Sequence, residues 1–194
     1  MNSKLESNRI LLRKYKLSDI DDYFEYISKP EVGGRIGFPP YKTKEEALER
    51  LKIELGKPYH FAIVLKDENK VVGSIQLHEP KPNRYESIDS GDTPYEIGFM
   101  LSPNYWGRGL MPEATVLMND FAFDVLNATT VLIGHVDKNI QSGKVQEKIG
   151  FKIEGEVPNY REWTDGTMVS LITRSMTPDE WSAIREEKFK LYVK

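Results

Sequence analysis

The sequence contains no cysteine. Disulfides, thiolate metal sites and thiol nucleophiles are therefore excluded from its chemistry. Histidine is nearly as scarce: the three, His60, His78 and His135, stand far apart. They lack the close spacing of metal-binding pairs and read as structural. No stretch approaches the about 20 apolar residues a membrane helix needs, and residues 1–8 lack the apolar run of a signal peptide. A cytoplasmic chain with no membrane partner is expected. An excess of one charge is missing too. The balance of 27 basic against 30 acidic residues leaves a net charge of −3. Such a chain has no global field to draw nucleic acid, and only a mild preference for cationic partners such as amines or basic peptides.

What remains is ordinary for a folded domain: 39% hydrophobic and 29% charged residues in a chain of 194. That length suits one domain, large enough to fold without metal or crosslink. Residues 9–15 read as a strand. Ser18 and Asp21 form a capping-box pattern before a helix over 19–28, whose Ile20, Tyr23, Phe24 and Ile27 share one face. Residues 29–42, with three glycines and three prolines, read as a loop. Thr43 and Glu46 open a second helix that buries Ala47, Leu48, Leu51 and Leu55, with Gly56 expected at positive φ after it. Strands over 59–66 and 71–78 flank a hairpin loop at 67–70, and 79–94 reads as an irregular excursion.

A strand over 95–101 follows, then a loop over 102–109. A helix from Pro112 to about Leu126 has Ala114, Leu117, Met118, Phe121 and Val125 on its buried side. Residues 130–136 form a strand with few polar groups, suited to a central position. A short helix over 140–149 ends at Gly150. Strands over about 151–160 and 167–175 meet at the turn signal Asp165-Gly166, and Thr177 with Glu180 caps a last helix. The order is that of a mixed α/β sheet in one domain, with antiparallel hairpins early and late and strand–helix–strand crossovers between them.

The stretch most open to chemistry is 103–114, where Gly107-Arg108-Gly109 joins a strand to a helix. Glycines let the backbone approach a ligand closely, and the free amides at the helix start face an anion. Arg108 adds a cation, so a phosphate or diphosphate suits the turn. A plain strand-to-helix turn is the competing reading. No Gly-Lys-Ser/Thr follows, and the third glycine of a dinucleotide fingerprint is missing. A second cluster places Asn139 at the start of a helix with Ser142 in its first turn. Asn139 reads as a cap, and Ser142 can face a ligand.

Together these segments resemble the GNAT family of N-acetyltransferases, within it the Rim-type branch that acts on ribosomal proteins. The resemblance is carried by Glu96-Ile-Gly-Phe99, Tyr105-Trp-Gly-Arg-Gly-Leu-Met-Pro-Glu-Ala114, Asn139-x-x-Ser142, Lys148-Ile-Gly-Phe151 and Asp165-Gly166, in that order. It implies a largely antiparallel central sheet, flanked by helices, in which the strand 95–101 splays from the strand 130–136. It implies acetyl-CoA as co-substrate, with no metal. The diphosphate of coenzyme A would lie on the backbone of Trp106, Gly107, Arg108, Gly109, Leu110 and Met111. Of these only Gly109 matches the family's turn strictly. Trp106 stands for Gln/Arg and Met111 for a small residue. Phe99, Met100 and Leu101 would pair with the pantetheine arm, and Asn139 and Ser142 would border the cofactor.

The family's reaction needs a base to take the amine's proton and a donor to meet the leaving sulfur. Glu96 is the carboxylate best placed as base. By strand alternation it shares a face with Gly98 and Met100. His135 is the runner-up. Family members that carry a tyrosine acid place it where this chain has Gln146, so Ser142 is the expected substitute. Backbone amides offer another way to stabilise the leaving sulfur.

Residues 29–42, 79–94 and 160–163 would surround the acceptor, where Glu86, Asp89 and Asp92 read as a solvated loop, with attraction of a cationic amine the alternative. The aromatics at Tyr23-Phe24 and Tyr59-His60-Phe61 read as core. The resemblance leaves three readings: acetylation of a protein N-terminal amine, acetylation of a small amine (a polyamine, an amino sugar or an aminoglycoside), and a non-catalytic acyl-CoA-binding module. The chain would act as a monomer or homodimer.

Overall fold

The computed structural model describes residues 5–81, 84–85, 88–89 and 91–193. The chain runs β1 (Ile10–Arg13), α1 (Ile20–Ile27), α2 (Pro30–Ile36), α3 (Lys44–Leu55), β2 (His60–Leu65), β3 (Lys70–His78), β4 (Tyr95–Leu101), α4 (Leu110–Asp124), β5 (Val131–Val136), α5 (Ile140–Ile149), β6 (Lys152–Glu162), β7 (Met168–Met176) and α6 (Pro178–Tyr192).

The seven strands form one sheet in the order β1-β2-β3-β4-β5-β7-β6. Every neighbouring pair is antiparallel except β4 and β5. That parallel pair is joined through α4, as parallel strands require a crossover. The helices cover both faces. Tyr23, Tyr26 and Ile27 of α1 and Ala47 and Leu51 of α3 pack on one side, against Ala62, Val64 and Val71. Leu117 and Met118 of α4 and Trp181 of α6 pack on the other, against Ile63, Ile75, Ile97 and Ile133. The strands between them alternate into two separate cores, as a period of two demands.

Local departures from expectation have physical causes. Residues 29–42 contain the helix α2, with Pro30 in its first turn and Gly37 closing it in the left-handed region at φ 94°. The residues that looked like breakers are its start and stop signals. Gly56 is right-handed at φ −78°, because α3 ends in a tightened turn without a left-handed cap. The box expected from Ser18 and Asp21 sits earlier. Asp19 accepts from the Lys16 amide at 2.8 Å and is held by Arg13. Thr43 caps α3 as expected, but the Glu46 carboxylate reaches the Lys42 amide, one residue further back.

Helix α4 begins two residues before Pro112 and ends at Asp124, leaving Val125 beyond it and 43% exposed. The capping box of Thr177 and Glu180 is present.

Candidate active site

β4 and β5 pair at Tyr95–Val131, Glu96–Leu132 and Ile97–Ile133, and no further. Beyond Ile97, β4 continues beside β3 as far as Leu101, while β5 continues beside β7 as far as Val136. The sheet therefore splits in its middle, and the side of β4 facing β5 has no ladder partner from Gly98 onward. Backbone groups left open in this way call for a ligand or water.

One mouth of the split is the start of α4. Gly107 and Gly109 both stand at φ 76°, a conformation that glycine adopts without strain. Gly109 is the N-cap of α4, and no side-chain hydrogen bond caps the helix there. A Cβ placed on Gly107 would meet nothing within 4 Å, so the space above it is open to a ligand. The turn itself is held from behind. Arg9 donates to the Arg108 carbonyl at 3.0 Å and, through Nε, to Glu113 at 2.8 Å. Ser7 also donates to Glu113, which is fully buried. A buried carboxylate paired in this way fixes the first turn of α4 without occupying its free amides.

Trp106 and Met111 explain their departures from the family turn. The Trp106 indole donates to the Leu101 carbonyl at 2.9 Å, tying the turn to the end of β4. Met111 packs into the core behind the helix. Arg108 lies over the Tyr105 ring, 3.7 Å from Glu68.

A hollow of about 290 Å3 runs from this turn along the split, lined by Phe99, Met100, Leu101, Gly107, Asn139 and Ser142 among others. The open edge, the uncapped helix start and the free volume fit a chain that carries a diphosphate at one end, as coenzyme A does.

Adjoining it lies a hollow of about 1150 Å3, which shares Arg35, Phe99, Met100, Asn139 and Ser142 with the first. Glu96 lines it and is 5% exposed. Its carboxylate accepts from Arg84 Nη1 at 2.9 Å and from the Lys81 amide at 3.4 Å, and Arg84 also reaches the Tyr160 hydroxyl. The excursion 79–94 thus places a counter-ion on Glu96. Asp92 lines this hollow and accepts from the Asp89 amide at 2.9 Å; Glu86 lies outside the described residues.

On α5, Asn139 caps the helix by accepting from the Ser142 amide at 3.4 Å. Ser142 is 8% exposed and borders both hollows. Gln146 is fully buried and donates to Ser142 Oγ at 3.2 Å. Its other end meets His135 Nδ1 at 3.0 Å. Burial lowers the His135 pKa and Arg174 adds to this, against the pull of Gln146 and Glu147. His60 is buried beside Glu54, and His78 bonds the neighbouring Glu79 carbonyl at 2.8 Å. Among the described residues no group of side chains is set to hold a metal ion, and no helix is long and apolar enough to cross a membrane.

Sequence reasoning missed Arg35. It reaches from α2 across the split, its guanidinium 4.4 Å from the centre of the Trp106 ring and bonded to Gln141 and, at 3.5 Å, to Asn139. The signal was present in the Pro30 and Gly37 that bracket α2. Arg84 was missed because an irregular excursion has no period to follow.

Residues 9–152 match the family of the acetyltransferase (GNAT) domain. The chain is 27% identical over 184 residues to the uncharacterized N-acetyltransferase p20 of Bacillus licheniformis, covering 92% of this chain and 98% of that one. Among the solved structures that share the fold are two acetyltransferases. The ribosomal-protein-S5-alanine acetyltransferase of Vibrio fischeri aligns with a TM-score of 0.70 at 24% identity, over 91% of this chain and 97% of that one. The spermidine N-acetyltransferase of Vibrio cholerae, solved with CoA and spermine, aligns with a TM-score of 0.73 at 16% identity, over 90% and 98%. The split sheet, the uncapped helix start and these matches lead to one conclusion: the chain belongs to the GNAT acetyltransferase family and is an acyl-CoA N-acetyltransferase.

Proposed function

We propose that the chain acetylates the N-terminal amine of a protein or peptide, a reading in keeping with its likeness to the ribosomal-protein-S5-alanine acetyltransferase of Vibrio fischeri. The observation that carries this is the acceptor-side hollow. At about 1150 Å3 it exceeds what a small amine fills. Arg35, Arg50, Lys57, Lys81, Arg84 and Arg161 line it, against the acidic Glu79, Asp92 and Glu96. A polyamine needs an enclosed acidic pocket, and this lining carries more cations than carboxylates.

The turn at Gly107-Arg108-Gly109 and the first amides of α4, at Leu110 and Met111, would hold the diphosphate of coenzyme A. The edge of β4 from Phe99 to Leu101, open except at the Leu101 carbonyl held by Trp106, would orient its pantetheine arm. When bound, acetyl-CoA supplies the thioester carbon that gains a C–N bond as its C–S bond breaks, the electron pair leaving on sulfur. The acceptor nitrogen sheds two protons in all, one passed through Glu96 to solvent and one ending on the departing sulfur. Glu96 takes its proton directly or through a water, and the incoming ammonium competes with Arg84 for that carboxylate. Ser142, at the junction of the two hollows, offers its hydroxyl hydrogen to the leaving sulfur.

The test is thiol release from acetyl-CoA across a panel of peptides with free N-termini, polyamines and amino sugars. Turnover confined to the peptides supports the reading, and turnover confined to polyamines overturns it.

A further inference from the structure

Gln146 is a polar side chain buried where the helix α5 faces β5, and it has two polar neighbours. A carboxamide oxygen can only accept and its nitrogen can only donate. The 3.0 Å contact from Gln146 Oε1 therefore requires the hydrogen to sit on His135 Nδ1. Burial, which lowers the His135 pKa, favours the neutral ring, and with its hydrogen on Nδ1 that ring has Nε2 bare. That nitrogen lies against Gly143, where an added Cβ would stand 2.7 Å away. The charged groups acting on His135 are Arg174 on β7, Glu147 on α5 and Asp137 after β5. The chain of bonds has one direction. His135 donates to Gln146, and Gln146 donates to Ser142 Oγ at 3.2 Å.

Ser142 Oγ has a single hydrogen. Gln146 already fills one of its lone pairs, and the Ser142 amide is taken by Asn139. Among the described residues no protein acceptor is bonded to that hydroxyl hydrogen, and Ser142 lines the junction of both hollows. We propose that Gln146 is a positioning residue, which by donating to Ser142 Oγ turns that hydroxyl's hydrogen into the split, toward the sulfur that leaves. Gly143 has no side chain because the His135 ring that completes the chain occupies the space a Cβ would need. The inference rests on the reading of Ser142 as the group that meets the sulfur.

The test compares Ser142→Ala, Gln146→Glu and Gln146→Met, each by kcat, by coenzyme A affinity and by the pH dependence of kcat relative to the unchanged protein. A carboxylate at position 146 has nearly the same shape but can only accept. Ser142 must then donate to it, and the hydrogen is withdrawn from the split. Gln146→Glu is expected to lose as much kcat as Ser142→Ala, about a hundredfold, with coenzyme A affinity retained. Its relative kcat should rise as the pH falls, because the introduced carboxyl donates again once it is protonated. Gln146→Met adds no charge and leaves the hydroxyl free to rotate, for a smaller loss of about fivefold.

Full kcat in Ser142→Ala would remove Ser142 as the donor, and with it the reading beneath the inference. Impaired Ser142→Ala beside fully active Gln146→Glu and Gln146→Met would overturn the role of Gln146 alone. A loss in Gln146→Glu that does not vary with pH would make Gln146 merely structural and equally overturn it.

Discussion

The guanidinium of Arg35 lies 4.4 Å from the centre of the Trp106 ring, and the same side chain reaches Asn139 at 3.5 Å. One residue of α2 thereby touches both lips of the split, the turn before α4 and the start of α5. Among the described residues no carboxylate pairs with Arg35, so its charge is available to an anion in the groove. Its partner across α2 is Arg161, which donates to the Arg35 carbonyl at 2.9 Å.

Arg35→Ala should therefore weaken coenzyme A binding by about tenfold, the worth of one charge-assisted contact. Arg35→Lys should recover only part of this, because an ammonium does not stack flat on the Trp106 ring. Titration calorimetry checks both. Equal affinity in all three proteins would make the contact a packing detail.

Glu96→Gln should lower turnover by about a hundredfold while leaving coenzyme A affinity unchanged. The carboxylate lines the larger hollow and sits on the face of β4 shared with Gly98 and Met100, away from the core that holds Ile97. As the base it imposes a rise of rate with pH, and the variant should flatten that rise. A pH–rate profile identical to the unchanged protein's would remove Glu96 from the reaction.

Acid should unfold the protein through a second buried carboxylate. Burial alone would raise the pKa of Glu54, but His60, Lys57 and Arg50 outweigh it and hold it at about 2, against an ordinary 4.5. His60 is itself lowered from 6.5, burial outweighing Glu54. These two shifts conflict if His60 is charged. Lys57, 2.7 Å from Glu54, and Arg50 keep their charges throughout, so the pair fits a neutral His60 donating to an ionised Glu54. Both groups bind protons less readily folded than unfolded. Their contribution to stability is thus complete above about pH 6.5 and falls as the pH drops, the Glu54 share disappearing between 4.5 and 2. Glu54→Gln should cost about 3 kcal/mol at neutral pH and flatten the lower part of that fall in urea melts. An unaltered slope there would place the acid sensitivity elsewhere.

Much of this arrangement was legible in the sequence because period and punctuation carry it. The alternation over 95–101 places Glu96, Gly98 and Met100 on one face, and the turn at Gly107-Arg108-Gly109 marks the helix start. The capping residues Thr43, Asn139 and Thr177 all cap. What stayed hidden depends on contacts distant in the chain. Arg9 and Glu113 meet across the β1–α4 interface, Arg84 meets Glu96 from an excursion without period, and His135, Gln146 and Ser142 form their chain only once β5 and α5 are packed. Helix α2 was hidden differently: Gly33 and Gly34 lower its propensity, and packing of Val32 into the core under α1 restores it.

The proposed mode of coenzyme A binding depends most on the main-chain nitrogens beside Gly109 holding its diphosphate. The direct measurement is coenzyme A affinity, by titration calorimetry, of Gly109→Val against the unchanged protein, with circular dichroism confirming that both are folded. At φ 76° a β-branched residue is strained and closes the approach to the backbone, so affinity should fall by at least about tenfold. A folded Gly109→Val protein that binds coenzyme A as tightly as the unchanged one would contradict the assignment of this turn.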